Sequence, residues 1–263
     1  MPAPKLKENF EGRIRNLALS PSKASNSLVP LFEAISNSIH AIQKRFEDKA
    51  SESGRISILI ERRDDNDTCS MIVSDNGVGL NDEQFDAFLT IDTSAKVKIG
   101  GKGIGRLTWL KVFSRAKIIS RFQSGSKRFR RSFVFALDTE NPIKDYKLTE
   151  ASENIGTEIR LENMKLEYWA HGPSKLDTVA KKIIAHFFPA FFSAQMPLVS
   201  ISMGDDSFVL NELLHEKIHR VQKSIFESLG SQVQIEHALI DKAIADHRAG
   251  SGILNRALSG ISA

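Results

Sequence analysis

Hydrophobic and polar positions repeat along this chain with two periods. From Leu28 to about Asp48, apolar residues recur every three or four positions, at Leu31, Phe32, Ile35, Ile39, Ile42 and Phe46. That spacing predicts one long amphipathic helix. Gly54 breaks it. Arg55 to Arg62 then alternates, with Ile56, Ile58 and Ile60 on one face, and reads as a strand. A turn at Asp64-Asp65-Asn66-Asp67 leads into a second strand, Thr68 to Ser74. Asn81 to Leu89 reads as a short helix with Phe85 and Leu89 inward, and Arg106 to Phe113 as another. Ala116 to Phe122 and Arg128 to Leu137 form a predicted hairpin closed by Gln123 to Lys127, and Ile155 to Leu161 is a further strand. Ser174 to Phe188 is a predicted helix facing inward through Val179, Ile183, Ile184 and Phe187. A hairpin follows over Val199 to Leu210, then helices over Asn211 to Leu229 and Ile235 to His247. Upstream, Leu6, Phe10, Ile14 and Leu17 give the polar N-terminal arm a short amphipathic helix.

Composition narrows the class. At 263 residues, 41% hydrophobic and 26% charged, the balance is that of a globular protein with one large domain or two small ones. Met1 to Gly12 lacks the apolar core of a signal peptide. The most apolar region, Ile183 to Val199, is broken by His186, Pro189, Ser193, Gln195 and Pro197, so no membrane span is expected. Cys69 is the single cysteine, which excludes an internal disulfide and suits a reducing compartment; the expected location is the cytoplasm. A net charge of +4 permits nucleic-acid contact without demanding it. The hairpin 121–131 carries Arg121, Lys127, Arg128, Arg130 and Arg131, which suit either phosphates or a solvated strand face.

The candidate chemistry lies between Ser74 and Leu107. Asp75 falls at a predicted strand end, followed by Gly77 and Gly79. A second cluster, Gly100-Gly101-Lys102-Gly103-Ile104-Gly105, runs into a predicted helix and offers backbone N–H groups to phosphate. Two familiar phosphate motifs are excluded. Lys102 is followed by Gly103 rather than Ser or Thr, and the glycine spacing from Gly101 does not give G-x-G-x-x-G.

Four boxes occur in order: Glu33-x-x-x-Asn37, Asp75-x-Gly77-x-Gly79, the second glycine cluster, and Gly156-Thr157 ahead of a strand. Together, over about Leu28 to Leu161, they resemble the GHKL ATPases: the gyrase B-subunit, the heat-shock chaperone with an N-terminal ATPase, sensor histidine kinases and MutL. The segment Thr93-Ser94-Ala95-Lys96 looks like the lid of the MutL- and topoisomerase-like members. The resemblance implies an α/β two-layer sandwich of the Bergerat ATP-binding type, a mixed sheet with helices on one face. Residues 1–27 would be an arm, 28–164 the nucleotide core, and 165–263 either sheet completion or the start of a transducer.

The resemblance also implies roles. Glu33 would be the general base and Asn37 the Mg²⁺ ligand. Asp75 would take the exocyclic amine of adenine, assisted by Thr157. Gly77 and Gly79 would admit the flat base. Ser94, Lys96, Gly101, Lys102, Gly103, Ile104 and Gly105 would enclose the phosphates. ATP and Mg²⁺ are the implied ligands. Hydrolysis with lid closure and homodimerisation is the implied activity, coupled to repair, topology, chaperoning or defence. It would draw on a lysine from a transducer domain or on a partner protein. The alternative is an ATP-binding regulatory module with little turnover. One departure is His40, where many relatives have an aspartate.

A different chemistry is spelled by His215-Glu216-Lys217-Ile218-His219, an H-E-x-x-H pattern that on a helix can hold Zn²⁺ for a peptidase. Glu227 and Glu236 are the available third ligands. A chance match in a charged tail is the better account.

Overall fold

The computed structural model describes residues 10–63, 68–90, 105–138, 141–192, 196–228 and 231–240. The chain opens with helix α1 (Phe10–Arg15), then α2 (Val29–Phe46) and α3 (Ala50–Ser53). Strands β1 (Arg55–Arg63) and β2 (Thr68–Asp75) follow, then α4 (Asp82–Leu89) and α5 (Leu107–Val112). Next come β3 (Phe113–Ser124), β4 (Lys127–Ala136), β5 (Ile143–Glu150) and β6 (Gly156–Met164). The remainder comprises α6 (Leu166–Trp169), α7 (Leu176–His186), α8 (Phe188–Phe192), β7 (Leu198–Met203), β8 (Asp206–Val209), α9 (Leu210–Lys217), β9 (Ile218–Ser228) and β10 (Ser231–Ile240).

Eight strands form one sheet in the order β5-β4-β3-β6-β2-β1-β7-β8. The β1–β7 pair is parallel and the other pairings are antiparallel, so the sheet is mixed. Alternation decides its faces. Ile56, Ile58 and Ile60 of β1, Ala116 and Ile118 of β3, Phe133 and Phe135 of β4, and Val199 and Ile201 of β7 are all buried. Each such aliphatic burial contributes about 1.5–3 kcal/mol. The opposite face carries ion pairs instead, Arg160 with Glu61 at 2.9 Å and Arg115 with Glu162 at 2.5 Å. The buried face meets the stripe of α2 (Leu31, Ala34, Ile35, Ile39, Ile42), the core residues of α5 and the inner face of α7. Helix α1 packs against α5 of its own domain, and Lys111 Nζ donates to the Arg15 carbonyl at 2.7 Å. Among the described residues no helix is long and apolar enough to cross a membrane.

The structure departs from the sequence expectations in several places, including Leu89, which is exposed rather than inward. Strand β5 at the sheet edge had no clear signal, because its positions are exposed on both faces and do not alternate. Strand β3 begins at Phe113, directly after α5, rather than at Ala116. The largest correction is C-terminal. The helix expected over Asn211 to Leu229 ends at Lys217 and gives way to a hairpin of β9 and β10; of the helix expected over Ile235 to His247, residues 235–240 belong to β10 and 241–247 lie outside the described residues. Its register sets Phe226 opposite Val233 and Lys223 opposite Glu236. Val221, Ile225, Val233 and Ile235 are β-branched, a residue type that favours strand over helix.

Candidate functional site

A cavity of about 430 Å³ lies between the sheet and helices α2, α4 and α5. Glu33, Asn37, Asp75, Gly79, Gly105 and Thr157 all line it. Thus six residues singled out in four separate boxes meet at one place. Gly77 stands just behind, where its N–H serves Asp75. Ser94, Lys96, Gly101, Lys102, Gly103 and Ile104 lie outside the described residues.

A polar row crosses an otherwise apolar sheet face, and its Asp75 and Thr157 line the cavity. Register places Asp75 opposite Thr157, Thr157 opposite Ser120, and Ser120 opposite Arg131, across four neighbouring strands. Thr157, Ser120 and Arg131 are buried. The Ser120 and Thr157 hydroxyls are 2.9 Å apart, and Ser120 Oγ accepts from the Leu80 N–H at 2.7 Å. Asp75 is held at both oxygens. Oδ1 accepts from the Gly77 N–H at 2.8 Å, and Oδ2 from the Ser38 hydroxyl at 2.9 Å. Burial raises the Asp75 carboxyl to about 6. The Gly77 and Thr157 N–H groups and the Ser38 hydroxyl oppose the shift without cancelling it.

The loop after Asp75 needs its glycine. Gly79 has φ of +78°, and a Cβ there would stand 2.3 Å from the Arg121 carbonyl oxygen. The loop is also tied down by Arg45, whose Nη1 donates to the carbonyls of Asn76 at 2.6 Å and Ile155 at 3.1 Å.

In the N-terminal half of α2 stand the two residues of the first box. Asn37 Nδ2 donates to Glu33 Oε1 at 3.3 Å, as four-residue spacing on a helix allows. The Glu33 carboxylate lies against the last glycine of the second cluster: a Cβ on Gly105 would sit 2.0 Å from Glu33 Cδ. The missing side chain at Gly105 gives the carboxylate its place. The Asn37 amide uses its N–H on Glu33, which leaves its carbonyl oxygen for a cation. A single neutral oxygen of this kind suits a hard ion that keeps water and phosphate ligands.

Helix α4 forms the outer wall. Asn81 caps it, its Oδ1 accepting from the Gln84 N–H at 3.1 Å. Arg131 fixes its start, donating from Nη1 to the carbonyls of Leu80 at 2.5 Å and Asn81 at 2.9 Å, and from Nη2 to Asp82 at 2.5 Å. The Arg131 guanidinium also lies over the Phe85 and Phe122 rings. Lys44 of α2 reaches Glu83 of α4 at 3.0 Å across the mouth, and exposed His40 sits on the same rim. Inside, Leu80, Phe88, Trp109, Ile118 and Ile159 give the cavity an apolar wall. Trp109 is 1% exposed, and its Nε1–H has no acceptor among the described residues.

Ser38, Ser120, Arg45, Arg131 and Trp109 were not picked out as site residues by the sequence motifs. Ser38 and Ser120 left a trace: each is a small polar residue on a buried apolar stripe, Ser38 between Ile35 and Ile42 on α2, Ser120 between Ile118 and Phe122 on β3. A buried hydroxyl needs a partner.

The structure also describes residues of two side patterns, the H-E-x-x-H read as a chance match and the basic hairpin read as suiting either phosphates or a solvated face. His215 is on α9 and His219 on β9, so the two histidines do not stand one turn apart on a helix, which the zinc motif requires. In the basic hairpin, Arg121 faces Glu153 at 3.6 Å, Lys127 pairs with Glu150, and Arg131 turns inward.

Compared with known families, residues 26–163 match the model described as histidine kinase-, DNA gyrase B-, and HSP90-like ATPase, which is more than half of the chain. Among curated proteins, none matches the chain.

Proposed function

The chain belongs to the histidine kinase-, DNA gyrase B- and HSP90-like ATPase family, with a Bergerat-type α/β fold, and on that premise we propose that it binds Mg²⁺-ATP in the cavity beneath α4 and hydrolyses it. The observation that carries this reading is the Asp75 carboxylate, half-buried in the cavity and held by Ser38 and Gly77. A fixed carboxylate there accepts the exocyclic N–H of adenine, where guanine presents a carbonyl. The Thr157 hydroxyl, steadied by Ser120, joins it at the base.

At the far end of α2, Glu33 accepts a proton from the attacking water. General-base assistance of this kind is worth about 10²–10⁴ in rate. The Asn37 amide orients that carboxylate through its N–H, and its oxygen would be the group that holds Mg²⁺. Mg²⁺ bound there would neutralise charge on the phosphates. The glycine box running into α5 closes over the phosphates as a lid. Closure then favours a homodimer, because binding energy rather than hydrolysis drives it.

Calorimetry with ATP and GTP, turnover, and mass by light scattering with and without ATP test this on wild type and Glu33→Ala. The variant should keep ATP affinity, lose about 10²-fold or more in turnover, and accumulate the ATP-dependent dimer. Equal affinity for GTP overturns the Asp75 role, and full turnover in Glu33→Ala removes Glu33. A wild type that binds ATP without turnover supports the regulatory-module reading instead.

A further inference from the structure

The helices that bury the core lie on one face of the sheet. On β3 and β4 the alternation that buries Ile118, Ser120, Arg131 and Phe133 turns Lys117, Arg121, Arg128 and Arg130 to the other face. Register adds Lys147 of β5, opposite Ser132, and Arg160 of β6, opposite Lys117. Six cations thus share one surface over four neighbouring strands. Its acids answer only part of that charge. Glu153 faces Arg121 at 3.6 Å, Glu61 takes Arg160 at 2.9 Å, Glu162 takes Arg115, and Glu158 stands opposite Ile119. Among the described residues, Lys117, Arg128, Arg130 and Lys147 have no carboxylate within ion-pair distance. Two placements work against stability. Lys117 stands directly opposite Arg160, and Arg121 directly opposite Arg130. Like charges so placed repel. Solvation alone does not account for this, because the charge is not spread evenly. In the middle of β1, β2, β7 and β8 the same face carries Ser57, Ser74, Ser200, Ser202 and Ser207.

We propose that the outer face of β3, β4 and β5 binds the phosphate backbone of double-stranded nucleic acid without reading its sequence. A polyanion relieves crowded cations, since its phosphates neutralise several at once and release counterions. The absence of rings on this surface selects the duplex. Phe122, Phe129, Phe133 and Tyr146 all belong to the core side, so unpaired bases find nothing to stack on. None of the six cations lines the nucleotide cavity, so the proposal stands apart from the ATP reading.

The test is fluorescence anisotropy of a labelled duplex DNA of about 30 base pairs, titrated with the full chain in the absence of ATP. The complex should have a Kd of about 10⁻⁴–10⁻⁶ M at physiological salt, the same for duplexes of unrelated sequence. Its log affinity should fall with log salt at a slope of about −3 to −4, from four cations at about 0.9 each. Lys117 and Lys147 are exposed, so replacing them leaves the core intact. Lys117→Gln combined with Lys147→Gln should make that slope shallower by about two and weaken binding about tenfold. Lys49→Gln combined with Lys175→Gln removes the same charge from residues next to the helices α3 and α7, and should bind as wild type does. Several results overturn the proposal: no complex at about 100 µM protein and about 50 mM salt, a slope shallower than about one, or a Lys117/Lys147 double variant that matches wild type. So does a single strand of the same length that binds more tightly than the duplex, which requires stacking. Vesicles containing phosphatidylserine that bind while the duplex does not would make the face a membrane surface and overturn it as well.

Discussion

The Asp75 carboxyl gives the sharpest quantitative test, because one group governs both ligand affinity and stability. It titrates near 6 in the folded, ligand-free protein against an ordinary 3.8, and burial is the main cause. Only the carboxylate accepts from the adenine amine. Lowering the pH from about 7.5 to about 5 therefore takes Asp75 from almost fully ionised to about one-tenth ionised, and intrinsic ATP affinity should fall about tenfold. Asp75→Asn cannot titrate, and its profile carries whatever the nucleotide's own phosphates contribute. The ratio of wild-type to variant affinity, measured by calorimetry across that range, isolates the carboxylate. It should rise with pH through a midpoint near 6.

Stability should move the other way. The folded value lies above the unfolded one, so the folded state binds the proton more tightly. The stabilisation is complete below pH 3.8 and is lost as pH rises through about 6. The two values correspond to about 3 kcal/mol of cost for holding Asp75 charged at neutral pH without a ligand. Thermal melts of the ligand-free protein should therefore show Asp75→Asn gaining on wild type as pH rises from about 4 to about 7.5. A flat affinity ratio together with parallel melts would refute the reasoning, placing the carboxylate in open water rather than in the cavity.

Two further outcomes follow from geometry. Gly79→Ala forces a side chain onto a φ of +78° and against the Arg121 carbonyl, so melting should report a loss of about 1–3 kcal/mol, with ATP binding weakened as the loop shifts. Arg131→Met keeps the packing between Phe85 and Phe122 but leaves the Leu80 and Asn81 carbonyls without their donor. Amide exchange in α4 should then quicken and ATP affinity fall, and unchanged exchange would show that Arg131 does not fix the wall.

Much of the site was legible because its residues sit on strongly periodic elements. Glu33 and Asn37 share a helix face by their spacing alone, and the stripe beneath them predicted α2 almost to its ends. Asp75 was placed at a strand end by the turn residues after it, and β2 does end there. What local pattern does not hold is the partner across a strand or a cavity. Ser38 was hidden beside the more informative Asn37. The pairing of β9 with β10 depends on the register of two segments whose own periodicity is ambiguous, and there the helical reading failed.

The polar row across β2, β6, β3 and β4 ties these points together. Asp75, Thr157, Ser120 and Arg131 are far apart in sequence; Ser120 and Arg131 interrupt an apolar alternation, and Asp75 and Thr157 stand at the ends of theirs. Taken singly, each invites a bland explanation. Aligned by register, they form one connected line: Asp75 is supported by its own loop and by Ser38, the two hydroxyls bond each other, and Ser120 and Arg131 both hold the Leu80 backbone from below. A fold stabilised only by burial would have no reason to keep a carboxylate, two hydroxyls and a guanidinium in its core, since each requires a partner that an aliphatic residue would not. The row is where the proposed recognition role and the internal bonding of the sheet meet. It also links Asp75, to which we assign adenine, to the start of α4 through groups that are bonded in the ligand-free protein.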